Sequence, residues 1–296
     1  MESRCRRCGS SLCWQVSNCS GGGEADGMQP MVASLAKYLR VVGRLWRISA
    51  QRSLAFRWQF VGDLLDESFA VAFSLLMFDI AYDHTPVIGG WDQKKAILLV
   101  GVFQTYTVLV GVFLMPSLNT MSNTIHGGDL DGLLLRPVSA QILLSLRQIQ
   151  ITGIVKIAPG FAVMVYALRD LGHMPGLLDM VLAIVLLLAG VGIVYGMWFA
   201  SMTLEFWFSG LWSWVRFVPR LFSFAQYPGG IYKGMTRVVF LTVLPVIVVT
   251  NFPTEALLGQ WSAGRVIYSL GLSLLLIGLS HLSWRRGLRR YSSASS

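Results

Sequence analysis

Long apolar runs alternate with short polar segments rich in arginine and lysine along this chain. A bilayer core of ~30 Å is crossed by about 20 apolar residues of helix. Runs of that kind lie near 60–82, 96–115, 149–168, 177–202, 238–252 and 266–284, which predicts six transmembrane helices. The first carries Asp63, Asp66 and Glu67 in its opening turns and Asp79 near its end. An acidic trio at a helix N-terminus suits a membrane interface, because the exposed N–H groups favour negative charge there. The second run stops at Pro116, and the third contains Lys156 and Pro159. The fourth is the most apolar, and the fifth is short, with Pro245 inside it. Between the fourth and fifth, residues 206–224 hold Trp207, Trp212, Trp214, Arg216, Pro219 and Arg220. Tryptophan favours the headgroup level, so this stretch reads as interfacial or re-entrant. Unbroken apolar runs are not the alternation of barrel strands. The expected fold is therefore all-α, a polytopic membrane helix bundle.

Residues 32–58 have a different period. Lys37, Arg40, Arg44, Arg47 and Gln51 recur every three or four residues, and Leu35, Leu39, Val42 and Trp46 occupy another face. This predicts an N-terminal amphipathic helix lying on an anionic membrane surface. Residues 1–31 read as a disordered Cys- and Gly-rich leader, or as an over-long start upstream of Met28 or Met31. All four cysteines lie there, at Cys5, Cys8, Cys13 and Cys19, so no disulfide framework holds the apolar body. Cys5 and Cys8 have a zinc-knuckle spacing, but the second pair lacks it and no histidine is near, so no metal site is expected. The leader has basic residues but no apolar segment of ~7–15 residues to make it a secretory signal.

Composition supports the membrane reading. Of 296 residues, 54% are apolar and 13% charged, against roughly 25% charged in soluble domains. Net charge is +9, which in a soluble protein would suggest nucleic acid. Here the basic residues sit between the apolar runs. With both termini cytoplasmic, the inner segments hold the basic helix, Arg136, Arg147, Arg216, Arg220, Lys233, Arg237 and Arg285–Arg290. The outer ones hold only Lys94, Lys95, Arg169 and Arg265. That asymmetry is the positive-inside pattern. It predicts cytoplasmic termini and no nucleic-acid partner.

Catalytic motifs are missing. The chain has no G-x-x-x-x-G-K-[ST], H-E-x-x-H or G-x-S-x-G, and its histidines, His84, His126, His173 and His281, are scattered. No catalytic, cofactor-binding or metal residue is assigned. Asp79 and Lys156 are the ionisable groups within apolar runs; both lie close enough to an end to snorkel. Gly192 and Gly196 form a G-x-x-x-G in the fourth run, with Ala189 upstream, and Ser269 and Ser273 repeat the spacing in the sixth. Such faces let helices pack closely, within a chain or between chains.

The most informative loop is SNTIHGGDLDGLLLRPVSAQ, from Ser122 to Gln141, on the cytoplasmic side by the charge argument. Gly127 and Gly128 break a helix, Asp129 can cap the short leucine-rich one that follows, and Arg136-Pro137 closes it. A short amphipathic helix there can lie on the membrane or dock into a partner.

These residues carry a resemblance. The basic N-terminal helix, the loop HGGDLDGLLLRPVSAQ and the late segment from Phe224 to Gly259, with Tyr227-Pro228 and Pro245, resemble the type-2 ABC-transporter permeases of the six-span exporter-like branch. The resemblance covers roughly residues 33–291, and it implies that 32–296 is one permease domain. It implies that the first cytoplasmic loop provides the coupling helix that touches an ATPase, here within 125–137: His126, Gly127, Gly128, Asp129, Leu130, Asp131, Leu134, Arg136 and Pro137. It implies export across a bacterial plasma membrane, with ATP and Mg bound on a separate P-loop ATP-binding subunit and a second permease, related or identical, completing the path. An ion-coupled secondary transporter and a non-transporting membrane scaffold are the alternatives. The first would draw on intramembrane charge, which is sparse here.

Overall fold

The computed structural model describes residues 57–127, 129–135, 139–208 and 212–290, together with Gly43, Trp46 and Arg47. These all belong to one compact unit. The expected leader and most of the amphipathic helix at 32–58 lie outside the described residues; Gly43, Trp46 and Arg47 are helical.

Apolar periodicity and helix breakers set the elements. Helix α1 (Arg57–His84) leads into a two-stranded hairpin, β1 (Val87–Ile88) and β2 (Trp91–Asp92). Gly89 and Gly90 have φ of 61° and 82° in its turn, a conformation that glycine adopts without strain. Helix α2 (Gln93–Phe113) returns and ends beside Pro116, whose ring is tolerated at the start of the next helix. Four short helices follow: α3 (Met115–Leu118), α4 (Met121–His126), α5 (Asp129–Leu134) and α6 (Ala140–Leu146). A 3-10 turn, Ile151–Lys156, then runs into α7 (Ile157–Asp170), and α8 (Leu177–Thr203) comes back. Helix α8 is fixed at its start by Asp179, whose Oδ2 accepts from the Gly176 N–H at 3.0 Å. The chain continues through α9 (Trp212–Leu221), a 3-10 turn at Phe222–Gln226, α10 (Gly234–Thr242), α11 (Val246–Leu257) and α12 (Ala263–Leu288).

Small residues set the register of the long helices. Helices α2 and α7 run antiparallel: a Cβ on Gly101 would meet the Met164 backbone N at 2.9 Å, and one on Gly160 would meet Gln104 and Thr105. Lys94 pairs with Asp170 at one end (3.1 Å), and the Gln150 N–H donates to Val112 O at the other (3.2 Å). Helix α8 packs on both α11 and α12. A Cβ on Gly190 would meet Val249 O at 3.0 Å, and one on Gly196 would meet the Leu276 carbonyl carbon at 2.6 Å. Gly192 lies against Ser273 of α12. The structure thus places Gly192 and Gly196 in a contact within the chain. Leu98, Val102, Ala167, Ala183, Leu186, Ala256 and Leu257 join these layers in one buried cluster.

The bundle has two ends. One carries the β hairpin, Asp170, Asp179 and Gly259; the other carries α3–α6, Phe206 and Trp284. Residues 93–113, 151–170, 177–206 and 263–288 are each long and apolar enough to cross a membrane. With its 28 residues, α1 is about 42 Å long and is held at both ends. Phe78 and Tyr82 cluster with Ala96 and Val100 near the hairpin, and Asp63 and Asp66 reach Lys156 towards the other end.

The expected fifth span at 238–252 is not one helix. It breaks at Val243–Pro245, and α10 and α11 are bent by 82°. Pro245 has no N–H to continue the ladder. Both flanks of the pair lie at the hairpin end. Before it, a Cβ on Gly230 would clash with the Gly89 backbone; after it, Gly259 lies within 3.8 Å of a Cβ contact with His173. The α10–α11 pair therefore leaves and re-enters at the same end. The passage between ends is made by α9 and the 3-10 turn after it, in the stretch expected to be interfacial. Phe206 packs on Trp284 (5.6 Å), Pro219 and Phe222 face Phe103 and Val110 of α2, and Tyr227 packs on Phe78 (6.1 Å). The pair is a broken span or a re-entrant loop, and 212–226 is not among the helices long and apolar enough to cross a membrane. Lys233 and Arg237, expected at the α3–α6 end, move to the hairpin end with the pair.

Candidate functional site

The loop between α2 and the third long helix is folded into a cap of four short helices. Leu118, Met121, Leu130, Leu133, Leu143 and Leu144 are buried beneath it. A serine clamps its two ends: Ser117 Oγ donates to Gln148 O at 2.8 Å and accepts from the Gln148 N–H at 2.9 Å. Trp46 joins from the N-terminal segment, donating from Nε1 to Leu146 O (3.3 Å) with its ring 6.0 Å from Phe113.

The residues expected to carry coupling divide as follows. Gly127 ends α4, its N–H bonded to Asn123 O at 2.8 Å. Asp129 opens α5 and is exposed, as an acidic residue in a first turn should be. Leu130 is fully buried, while Asp131 is half-buried. Leu134 and Leu135 are turned outward, 42% and 87% exposed. Helix α5 therefore holds on to the bundle through Leu130 and Leu133 and offers Asp129, Leu134 and Leu135 to whatever lies beyond. His126 lies at the end of α4; Gly128, Arg136 and Pro137 lie outside the described residues.

Sequence spacing did not reveal the contacts that tie this cap to the long helices. Ser145 Oγ and Tyr195 OH are 2.9 Å apart, and Gln141 Nε2 donates to the same hydroxyl at 3.3 Å. His281 Nδ1 donates to Gln141 Oε1 at 2.6 Å, because an amide oxygen can only accept. Gln141 and Ser145 are buried. Helix α6 is thus joined by side chains to α8 and α12, and a buried polar network of this kind resists sliding because each unmade bond is costly. The sequence signal was present only as polar residues at helical spacing, Gln141 and Ser145, in a leucine-rich helix.

A second polar cluster lies beside the cap. Lys156 Nζ is 2.9 Å from Asp66 Oδ2 and 3.4 Å from Asp63 Oδ1. Snorkelling was the expectation for Lys156; it is instead ion-paired across two helices. Asp79 accepts from Gln93 Nε2 at 2.9 Å. At the hairpin end, Asn251 Oδ1 accepts from the Gly229 N–H at 2.7 Å and Thr250 Oγ1 donates to Ala225 O at 2.5 Å, fixing the Tyr227-Pro228 turn on α11. Among the described residues no group of three or more His, Cys, Asp or Glu could hold a metal ion.

No curated protein matches the chain, and no solved structure matches it. A family model described as ABC-2 family transporter protein matches residues 69–295, from the first long helix through the last. The match takes in the later part of α1, the cap, the bent pair and the other long helices, and so the chain belongs to the ABC-2 transporter family as a membrane permease subunit.

Proposed function

We propose that this permease exports its substrate from the bacterial cytoplasm across the inner membrane, with both termini cytoplasmic. A separate P-loop subunit binds and hydrolyses ATP beneath the α3–α6 cap. A second permease, related or identical, completes the translocation path in the lipid bilayer. The observation that carries this reading is the Gln141–Ser145–Tyr195–His281 network. A partner that pushes on the exposed leucines of α5 moves a cap fastened to α8 and α12. The displacement is transmitted because a packed core shifts as a unit. The fold supports a shared path as well: α1 exposes Phe69, Phe73 and Leu76 along its length.

The test is affinity purification of the full chain in mild detergent, with identification of co-purifying chains and an ATPase assay. A co-purifying P-loop ATPase is expected. Gln141→Leu and Tyr195→Phe should leave insertion and assembly intact yet reduce transport per ATP hydrolysed several-fold. Asp129→Ala and Arg136→Ala should weaken the association itself. A chain that purifies alone and is indifferent to nucleotide would overturn the reading in favour of a secondary transporter or scaffold.

A further inference from the structure

Four arginines at the end of α12 are left unused by coupling. Helix α12 is the least buried of the four helices long and apolar enough to cross a membrane, because it packs on the bundle through one face alone. That face buries Ser269, Ser273, Ser280, Trp284 and Gly287. The Trp284 ring lies 5.6 Å from that of Phe199 and 5.6 Å from that of Phe206. Gly287 lets Phe206 lie directly on the helix, since an added Cβ would meet its ring. The end of α12 is therefore clamped to the bundle, and its other face points away.

That outward face has an order. Leu275, Leu279 and Leu282 are exposed on it. At 3.6 residues per turn, these three, Arg286 and Arg289 fall on one stripe about 80° wide. Arg285 and Arg290 flank the stripe. All four arginines are exposed, and among the described residues none is ion-paired with a carboxylate. From Ala263 to Arg285 the helix rises ~33 Å, about the thickness of a bilayer core, so the arginines stand at headgroup level. From Leu275 to Arg286 it rises ~16 Å, about one leaflet.

A Lys and Arg bias places basic residues at one end of a membrane protein; it does not require them to continue a stripe of exposed leucines. Guanidinium groups grip phosphate oxygens in pairs, and basic clusters next to a span attract anionic lipid. An acidic protein surface would match the arginines and leave the leucines bare. A phospholipid with an anionic headgroup matches both. We infer that the outward face of α12 is a binding site for an anionic phospholipid, with its headgroup on Arg286 and Arg289 and an acyl chain along Leu275, Leu279 and Leu282. His281, one turn before Arg285, bonds Gln141 of the cap, so the bound lipid lies beside the contact that joins α12 to α6 and steadies it. Binding at this face does not depend on the transport reading given above.

The purified full chain in a non-ionic detergent can be tested by native mass spectrometry, with dioleoyl phosphatidylglycerol as probe and dioleoyl phosphatidylcholine as the neutral control. Preferential retention of phosphatidylglycerol, with a raised Tm, is expected. Arg286→Gln combined with Arg289→Gln should weaken that retention at least tenfold and leave phosphatidylcholine retention unchanged. Arg286→Lys combined with Arg289→Lys keeps the charge and should keep most of the preference. Arg169→Gln combined with Lys233→Gln removes as much charge elsewhere and should change nothing. Equal retention of the two lipids by the wild type would sink the inference. A phosphatidylglycerol preference that survives the glutamine pair would place the lipid elsewhere and sink it equally. Glycerol 3-phosphate bound as tightly as the lipid would show a plain phosphate site in which the leucines play no part, and would overturn it too. If the lysine pair loses the preference as completely as the glutamine pair, the effect belongs to folding rather than to charge, and the inference falls.

Discussion

A lysine inside an apolar helix is stable only with an anion in reach, and Lys156 has two, on a helix some 90 positions earlier in the chain. The pairs are unequal. Asp66 is 75% exposed, so its bond to Lys156 is screened and contributes little. Asp63 is 13% exposed and Lys156 21%, so that pair is the stabilising one. Removing one member of a fully buried pair costs about 3–5 kcal/mol; partial exposure here reduces the expected loss for Lys156→Met to about 1–3 kcal/mol. Thermal unfolding in detergent should show a lowered Tm, and adding Asp63→Asn should recover part of it. No recovery would mean that Lys156 acts alone. Glycines give a second test. Gly196→Ala forces a Cβ to within 2.6 Å of the Leu276 backbone, whereas Gly278→Ala on α12 meets open space. Overpacking of this kind costs typically about 1–3 kcal/mol, so Gly196→Ala should lower the Tm and Gly278→Ala should leave it unchanged or raise it. The G-x-x-x-G was legible in the sequence. The face that it packs on was not, because spacing shows that a helix has a flat side without showing which helix lies against it.

At the scale of elements, hydropathy located the long helices well and did not show that one apolar segment is sharply bent. The segments at 96–115 and 177–202 were legible because each is apolar for its whole length and is bounded by breakers. The stretch 238–252 has the same apolar sum, yet hydropathy carries no direction, and a chain that turns back scores like one that crosses. The signal was Pro245, with an inter-helix bend of 82° around it. Conversely, 212–226 runs between the two ends of the bundle although Arg216, Arg220 and three tryptophans nearby depress its apolar sum, and it is not among the helices apolar enough to cross a membrane. The bent pair is held by polar bonds rather than by its own helicity, since α10 buries none of its residues. Asn251, 2% exposed, is the principal clasp through its bond to the Gly229 N–H. Asn251→Leu removes that acceptor and leaves a buried donor unsatisfied, at a cost of about 1–3 kcal/mol. Protease sensitivity at 227–233 should rise in this variant and stay unchanged in Gln260→Ala, whose side chain is exposed. Equal sensitivity in both would show that the clasp does not hold the turn. The cap was legible as a short amphipathic helix. Its fastening through Tyr195 and His281 was not, because those partners lie 50 to 140 positions away.

For the whole molecule, the arrangement of ends groups Lys233 and Arg237 differently from charge counting. Counting placed Lys233 and Arg237 with the cytoplasmic basic residues. The structure moves the segment that carries them to the end holding Gly89, Asp170 and Gly259. The positive-inside pattern survives this transfer, because Arg147 and the Arg285–Arg290 cluster remain at the other end, and orientation follows the overall Lys and Arg bias rather than any one loop. If the bent pair is re-entrant, six passages join the two ends of the bundle: α1, α2, the 3-10 turn with α7, α8, α9 with the turn after it, and α12. A membrane-impermeant thiol reagent on intact cells distinguishes this from six crossings that include 238–252. With the four native cysteines replaced by serine, Lys233→Cys and Gln260→Cys should both react from outside, as should Gly90→Cys in the hairpin. Asp131→Cys should react only after the cells are opened. If 238–252 were the fifth span, Lys233 and Gln260 would lie on opposite sides, and Lys233→Cys would stay unlabelled in intact cells. The same experiment bears on mechanism: a pair that leaves and re-enters at the hairpin end without crossing leaves that mouth of the bundle to be shaped by α10 and α11, away from the cap. On the proposed reading, ATP-driven movement at the cap then has to reach the hairpin end through α8, the helix that touches both the cap network and α11.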